Sequence, residues 1–124
     1  MEPVLVIAVA LVLAAAGIYY VYTKKVPNRT FTLQELSKYD GNEFPRYLAV
    51  GGLVFDVNKS ESYRKGQPYE CFVGKDISVP LGRMDMNPGL LNSKEQLTPQ
   101  QQKTLQEWVT YFKKRYSVMG KLSN

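Results

Sequence analysis

Site chemistry needs a nucleophile, an acid or base, or a set of metal donors, and this sequence is sparing with all three. It contains no histidine, which removes bis-histidine haem ligation, imidazole acid–base catalysis and His-containing zinc sites. Cys71 is the one thiol. It can form no disulfide within the chain and no cysteine-rich metal cluster, and a lone thiol fits a reducing compartment. Set between Glu70 and Phe72, it has no evident activating partner and reads as a small buried apolar residue. No Ser-His or Cys-His pair, phosphate-binding glycine loop or paired-carboxylate spacing occurs, which argues against an enzyme. The nine tyrosines are the remaining donors of interest, and by default such residues pack and hydrogen-bond.

Charge narrows the partners. The net charge of +5 falls to +3 once residues 1–30 are set aside, because Lys24, Lys25 and Arg29 outweigh Glu2. That is too mild for a nucleic-acid binder, and no basic stripe with interleaved aromatics supports one.

The elements that would position these side chains begin after an apolar run. Residues 3–22 are 20 in number and uncharged, enough for a helix of roughly 30 Å, the thickness of the hydrocarbon core of a bilayer. Tyr19, Tyr20 and Tyr22 followed by Lys24 and Lys25 are the aromatic and basic markers with which a span ends. Ala14-Ala15-Ala16 offers a signal-peptidase-like pattern, but the run is long for a signal peptide and lacks a basic start. The expectation is a single-span anchor over 1–24, a linker over 25–30 and one domain over 31–124. The basic flank after the span places that domain in the cytosol. The sequons at Asn28 and Asn58 are then silent.

Within the domain, Thr32-Leu33-Gln34-Glu35 forms a capping-box pattern with Phe31 as its hydrophobic staple, predicting a helix to about Tyr39. Residues 47–50 and 53–57 are β-prone runs joined by Gly51-Gly52, a two-residue hairpin. Residues 58–92 are irregular and punctuated by Gly and Pro, a stretch either disordered or wrapped around something. Thr98-Pro99-Gln100-Gln101 is a second capping box. Leu105, Trp108, Val109, Phe112 and Tyr116 then share one helix face, which makes Trp108 a core residue. A closing strand is predicted over 118–122. The fold class is α+β, with a short sheet and several short helices.

These segments resemble, in order, the cytochrome b5-like haem/steroid-binding domain in its membrane-associated progesterone receptor branch. Phe31 to Leu36 with Tyr39-Asp40-Gly41 resembles the family's opening, and Leu48-Ala49-Val50-Gly51-Gly52-Leu53-Val54-Phe55-Asp56-Val57 its hairpin. Tyr63 and Tyr69, with Pro68, sit where the family carries F-Y-G-P-x-G-P-Y, although Arg64, Lys65 and Gln67 loosen the Gly-Pro turn. Phe72 to Ser78 is similar to F-A-G-R/H-D-A-S, Gln101 to Trp108 to Q-x-x-x-L-x-x-W, and Phe112 to Leu122 to F-x-x-K-Y-x-x-V-G-x-L. The likeness covers nearly all of residues 31–122.

The resemblance implies a cytochrome b5-like fold and a ferric, five-coordinate haem bound through a tyrosine oxygen. Phenolate is a hard donor suited to Fe(III), and iron stabilises it against an ordinary phenol pKa of about 10. By position Tyr69 is the implied axial ligand, with Tyr116 as the alternative. Tyr63 would orient Tyr69 through a hydroxyl hydrogen bond, Arg115 and Tyr116 would lie beside a propionate, and Asp76 would be a ligand-binding position. The partners implied are the endoplasmic reticulum membrane, sterols, haem-thiolate monooxygenases of sterol metabolism and a second copy in a haem-mediated dimer. A haem-free sterol-binding or adaptor module and an electron-transfer protein are the alternatives.

Overall fold

The computed structural model describes residues 26–123. The expected span over 3–22 lies outside them, and among the described residues no helix is long and apolar enough to cross a membrane.

A four-stranded sheet is built from β1 (Thr30–Phe31), β2 (Tyr47–Val50), β3 (Leu53–Asp56) and β4 (Ser117–Leu122), in the order β1-β4-β3-β2. β1 runs parallel to β4, and the other neighbours are antiparallel. β2 and β3 form the hairpin that Gly51-Gly52 predicts, with φ of +59° and +82° at the two turn residues. Both positive values suit the turn whose twist matches that of the strands. Val118 and Gly120 face Phe55 and Val54, so Met119 is an extra residue that bulges β4.

Every residue of β2 is buried, because the sheet is covered on both faces and side chains alternate between them. Leu48 and Val50 join Phe55, Val57, Phe112 and Val118 in one cluster. Tyr47 and Ala49 join Phe31, Leu36 and Val54 in the other. The outer edge of β2 is also covered. The chain at 74–77 bonds to it through Gly74 N–H to Tyr47 C=O at 2.7 Å, Ala49 N–H to Lys75 C=O at 2.9 Å and Ile77 N–H to Ala49 C=O at 2.9 Å.

The first helix, α1 (Leu33–Leu36), is capped by the Thr32 hydroxyl, which accepts from Glu35 N–H at 3.0 Å. It stops before the predicted Tyr39, since Tyr39 leaves the helix to stack on Tyr47 with ring centroids 4.4 Å apart. Phe31 is not a staple but a strand residue, paired with Leu122 and fully buried. α3 (Pro99–Arg115) follows the reading closely, with the Thr98–Gln101 capping box complete and Leu105, Val109 and Phe112 inward. Trp108, predicted as core, is only half-buried.

The irregular stretch is wrapped, not loose. It contains single 3-10 turns at Glu61–Tyr63, Glu70–Phe72 and Pro88–Leu90, and the helix α2 (Ser78–Arg83). Gly66, at φ +83°, allows a tight turn in which Gln67 N–H donates to Arg64 C=O at 3.0 Å, so the turn survives without the Gly-Pro pair. Cys71 corrects the reading of a buried thiol, because it is exposed. Side chains on a 3-10 turn leave at intervals of about a third of a circle, and the turn that points Phe72 inward sends Cys71 out.

Candidate ligand-binding cleft

The wrapped segment, α2 and α3 enclose a cleft of about 350 Å³, at the small end of the roughly 300–1,000 Å³ of ligand pockets. Its floor is Ile77, Phe112 and Tyr63, and its sides are Pro80, Leu81 and Trp108. The large apolar side chains that stay most exposed gather at its rim: Tyr69 at 42%, Met84 at 70%, Met86 at 53% and Tyr111 at 41%. Only Phe44, elsewhere on the surface, is comparable among the described residues. Exposed apolar side chains collected around one hollow mark a binding surface, whereas scattered ones do not.

Three of the five sequence-derived site residues meet as an aromatic set. Tyr63 is 7% exposed and lies 6.0 Å from the Tyr69 ring and 6.3 Å, edge-on, from the Tyr116 ring. Burial pushes the Tyr63 phenol far above its ordinary range, and Tyr116, Tyr111 and Tyr69 add to the shift. Tyr63 therefore stays a neutral phenol. Tyr69 differs: its ring stacks flat on Phe72 at 5.6 Å, and it lines the cleft while staying 42% exposed. No hydrogen bond joins the Tyr63 and Tyr69 hydroxyls among the described residues, so the orienting contact is made by rings rather than by oxygens. The Tyr116 hydroxyl donates to Ser60 Oγ at a long 3.4 Å.

Arg115 also reaches the rim, with its guanidinium carbon 4.8 Å from the Tyr111 ring centroid. Beyond it lies a polar hollow lined by Asp56, Lys59, Ser60 and Ser117. Asp76 is not brought to the cleft. One carboxylate oxygen accepts from Ser78 N–H at 3.0 Å and from the Ser78 hydroxyl at 2.6 Å, and that hydroxyl accepts from Gly51 N–H at 2.8 Å. Its own N–H donates to Asn92 Oδ1 at 2.8 Å. Burial raises the pKa of this carboxyl, and the hydrogen bonds from Ser78 partly offset the rise. Asp76 thus braces the start of α2, the wall of the cleft, from behind.

Sequence reasoning missed Met84, Met86 and Tyr111. The methionines flank Asp85 in a segment without periodicity, and Tyr111 falls off the apolar stripe of α3. A neighbouring-aromatic signal, Trp108-x-x-Tyr111, was available for the last of these.

The residues present suit haem in kind. A phenol at the mouth supplies a hard oxygen donor, apolar walls suit a flat macrocycle, and a cation stands at the rim. Among the described residues no group of three or more His, Cys, Asp and Glu side chains gathers to hold a bare metal ion.

Residues 32–118 match the family described as "Cytochrome b5-like Heme/Steroid binding domain". The chain is 41% identical over 96 residues to "Probable steroid-binding protein 3" of Arabidopsis thaliana, covering 74% of this chain and 96% of that one. It is 36% identical over 104 residues to "Membrane-associated progesterone receptor component 2" of Homo sapiens, covering 79% of this chain but only 47% of the human protein. Among solved structures, a hypothetical protein from Arabidopsis thaliana described as having a cytochrome b5 like fold superposes with a TM-score of 0.69. The two are 38% identical, and the match covers 78% of this chain and 93% of that one.

Proposed function

The chain belongs to the cytochrome b5-like haem/steroid-binding domain family, and from that premise we propose that its cleft binds ferric haem through the Tyr69 oxygen. The observation that carries this reading is the gathering of exposed Tyr69, Met84, Met86 and Tyr111 around one apolar cleft, which Tyr69 lines. Bound there, haem would supply a high-spin ferric centre of low reduction potential, because phenolate favours Fe(III).

The chain's own residues divide the remaining work. Phe72 holds the Tyr69 ring flat against the wall. Tyr63, neutral and buried, closes the floor and keeps water from the inner side. Arg115 and Tyr116 offer a cation and a hydroxyl at the polar edge, where a carboxylate substituent fits. Asp76 fixes the wall without touching the ligand. The protein acts as a binding protein and not a catalyst: anchored by residues 3–22 in the endoplasmic reticulum membrane with its domain in the cytosol, it supports haem-thiolate monooxygenases of sterol metabolism.

The test is an absorption spectrum of the purified chain titrated with hemin. A Soret band with a phenolate-to-iron charge-transfer band is expected, and Tyr69→Phe should remove that charge-transfer band and most of the affinity. No band in the parent after hemin is added would sink the reading. Equal binding by Tyr69→Phe with loss in Tyr116→Phe would move the ligand to the end of α3. A second reading, a steroid held without haem, is favoured by the apolar walls and by the name of the Arabidopsis relative. Steroid binding that hemin does not displace would select it.

A further inference from the structure

Three hollows follow one another along α3. The outer one, of about 450 Å³, is lined by Met84, Thr104, Glu107, Trp108 and Tyr111. The cleft comes next and shares Met84, Trp108 and Tyr111 with it. The polar hollow is last and shares Ser60, Arg115 and Tyr116 with the cleft. From Thr104 to Arg115 the helix advances about 16 Å. The outer hollow and the cleft are therefore neighbours, and the same three side chains border both.

Two of those three side chains are held in place. Trp108 packs against the larger core cluster and meets Tyr111 edge-on at 5.6 Å. Tyr111 is also edge-on to Phe112 at 5.8 Å and carries the Arg115 guanidinium over its ring. Met84 is different. It is 70% exposed, more than any other large apolar side chain among the described residues, and an unbranched thioether chain changes shape easily. It ends α2 at φ +54°, the left-handed position where glycine is usual and a side chain brings strain. The backbone leading to it is fixed. Arg83 pairs with Glu95 at 2.7 Å, and a Cβ on Gly82 would lie 2.7 Å from Leu97 Cδ1. Any change of shape at this border falls to the Met84 side chain.

We propose that Met84 sets the size of ligand that the site takes. With its side chain seated, the cleft alone is open, a space at the small end for ligand pockets and suited to a compact steroid. With it turned out to solvent, the cleft and the outer hollow join into one trough along α3, which accommodates the broader tetrapyrrole ring of haem. Glu107 at the outer hollow repels carboxylates. The apolar edge of the ring therefore lies there, and its carboxylates turn to the polar hollow, where Lys59 and Arg115 stand against Asp56. This inference rests on the reading of the cleft as the ligand site and adds the residue that decides between the two ligand classes.

The test compares the full chain with its Met84→Ala and Met84→Leu variants, each titrated with hemin by absorbance and with radiolabelled progesterone by equilibrium dialysis. Met84→Ala should bind hemin several-fold more tightly than the parent and associate faster, since nothing has to be displaced. It should bind progesterone several-fold more weakly, since the cleft has lost a wall. Met84→Leu restores the bulk and should return both affinities toward those of the parent. Hemin affinity unchanged or lowered in Met84→Ala would overturn the inference, because Met84 would then be a contact or a bystander and not a barrier. A hemin gain shared by Met84→Leu would overturn it as well, since sulfur and not size would be responsible. Progesterone affinity that holds or rises in Met84→Ala would do the same; where the parent takes hemin alone, the hemin arm decides. If neither the parent nor Met84→Ala bound either probe, the reading of the cleft itself would fall, and this inference with it.

Discussion

Two tyrosines with opposite exposure set the behaviour of single residues here. The Tyr63 side chain is largely buried and its phenol held neutral, whereas Tyr69 is 42% exposed on the cleft rim, so they respond differently to losing the same atom. Tyr63→Phe should change hemin affinity by no more than a hydrogen bond, about 1 kcal/mol, while Tyr69→Phe should cost several times that. Hemin titrations of the two variants check the ranking, and equal losses would contradict it. Asp76 offers a second test through pH. Its carboxyl is raised above the ordinary 3.8, chiefly by burial. The folded state therefore binds its proton more tightly than the unfolded state. Stability contributed by this group is greatest below pH 3.8 and falls as pH rises through the raised folded value. Asp76→Asn removes that dependence, so its stability relative to the parent should improve with rising pH across this window and then level off. Urea unfolding of both proteins over the acid range measures the difference, and a flat difference curve would show that Asp76 does not titrate as described.

The elements depend on a few local devices whose loss is measurable. A Cβ on Gly51 would lie 2.5 Å from Val109 Cγ2, and its φ of +59° strains any other residue. Gly51→Ala should cost about 2 kcal/mol from backbone strain, with the clash adding to it. Val109→Ala should relieve the clash, so the double variant should lose less than the sum of the single variants in a double-mutant cycle. Strict additivity would mean that α3 does not rest on the hairpin turn. Thr98→Ala removes the acceptor for Gln101 N–H and should cost about 1 kcal/mol by chemical denaturation. These same devices made the hairpin and α3 readable in the sequence, since Gly-Gly between β runs and Thr-Pro-x-Gln before an apolar stripe act within a few residues. The misread positions depend on distant partners. Phe31 is a strand residue because Leu122 lies beside it, Tyr39 leaves its helix for Tyr47, and Trp108 is half-exposed because the cleft stays open next to it. Tyr63, Tyr69, Arg115 and Tyr116 were legible at the cleft through family likeness, and Asp76 was placed with them although its role lies behind the wall. Met84 and Met86 had no local signal at all.

For the molecule as a whole, an open apolar cleft implies a fold that a ligand completes. Filling it should stabilise the domain by mass action, by about 2.7 kcal/mol at one hundred times the dissociation constant. At roughly 4–8 °C per kcal/mol for a domain of this size, hemin should raise the melting temperature by ten degrees or more. Calorimetry should show that rise in the parent and little of it in Tyr69→Phe; an equal rise in both would point to adsorption elsewhere. The position of Trp108 adds a practical consequence. It is the one tryptophan of the chain, and it forms part of the cleft wall, edge-on to Tyr111 with centroids 5.6 Å apart. The indole is thus a built-in optical reporter of occupancy. A haem in the cleft would drain its emission by energy transfer, while a colourless steroid would shift the band to the blue by displacing water. One cuvette, with no label attached, would tell the two ligand classes apart.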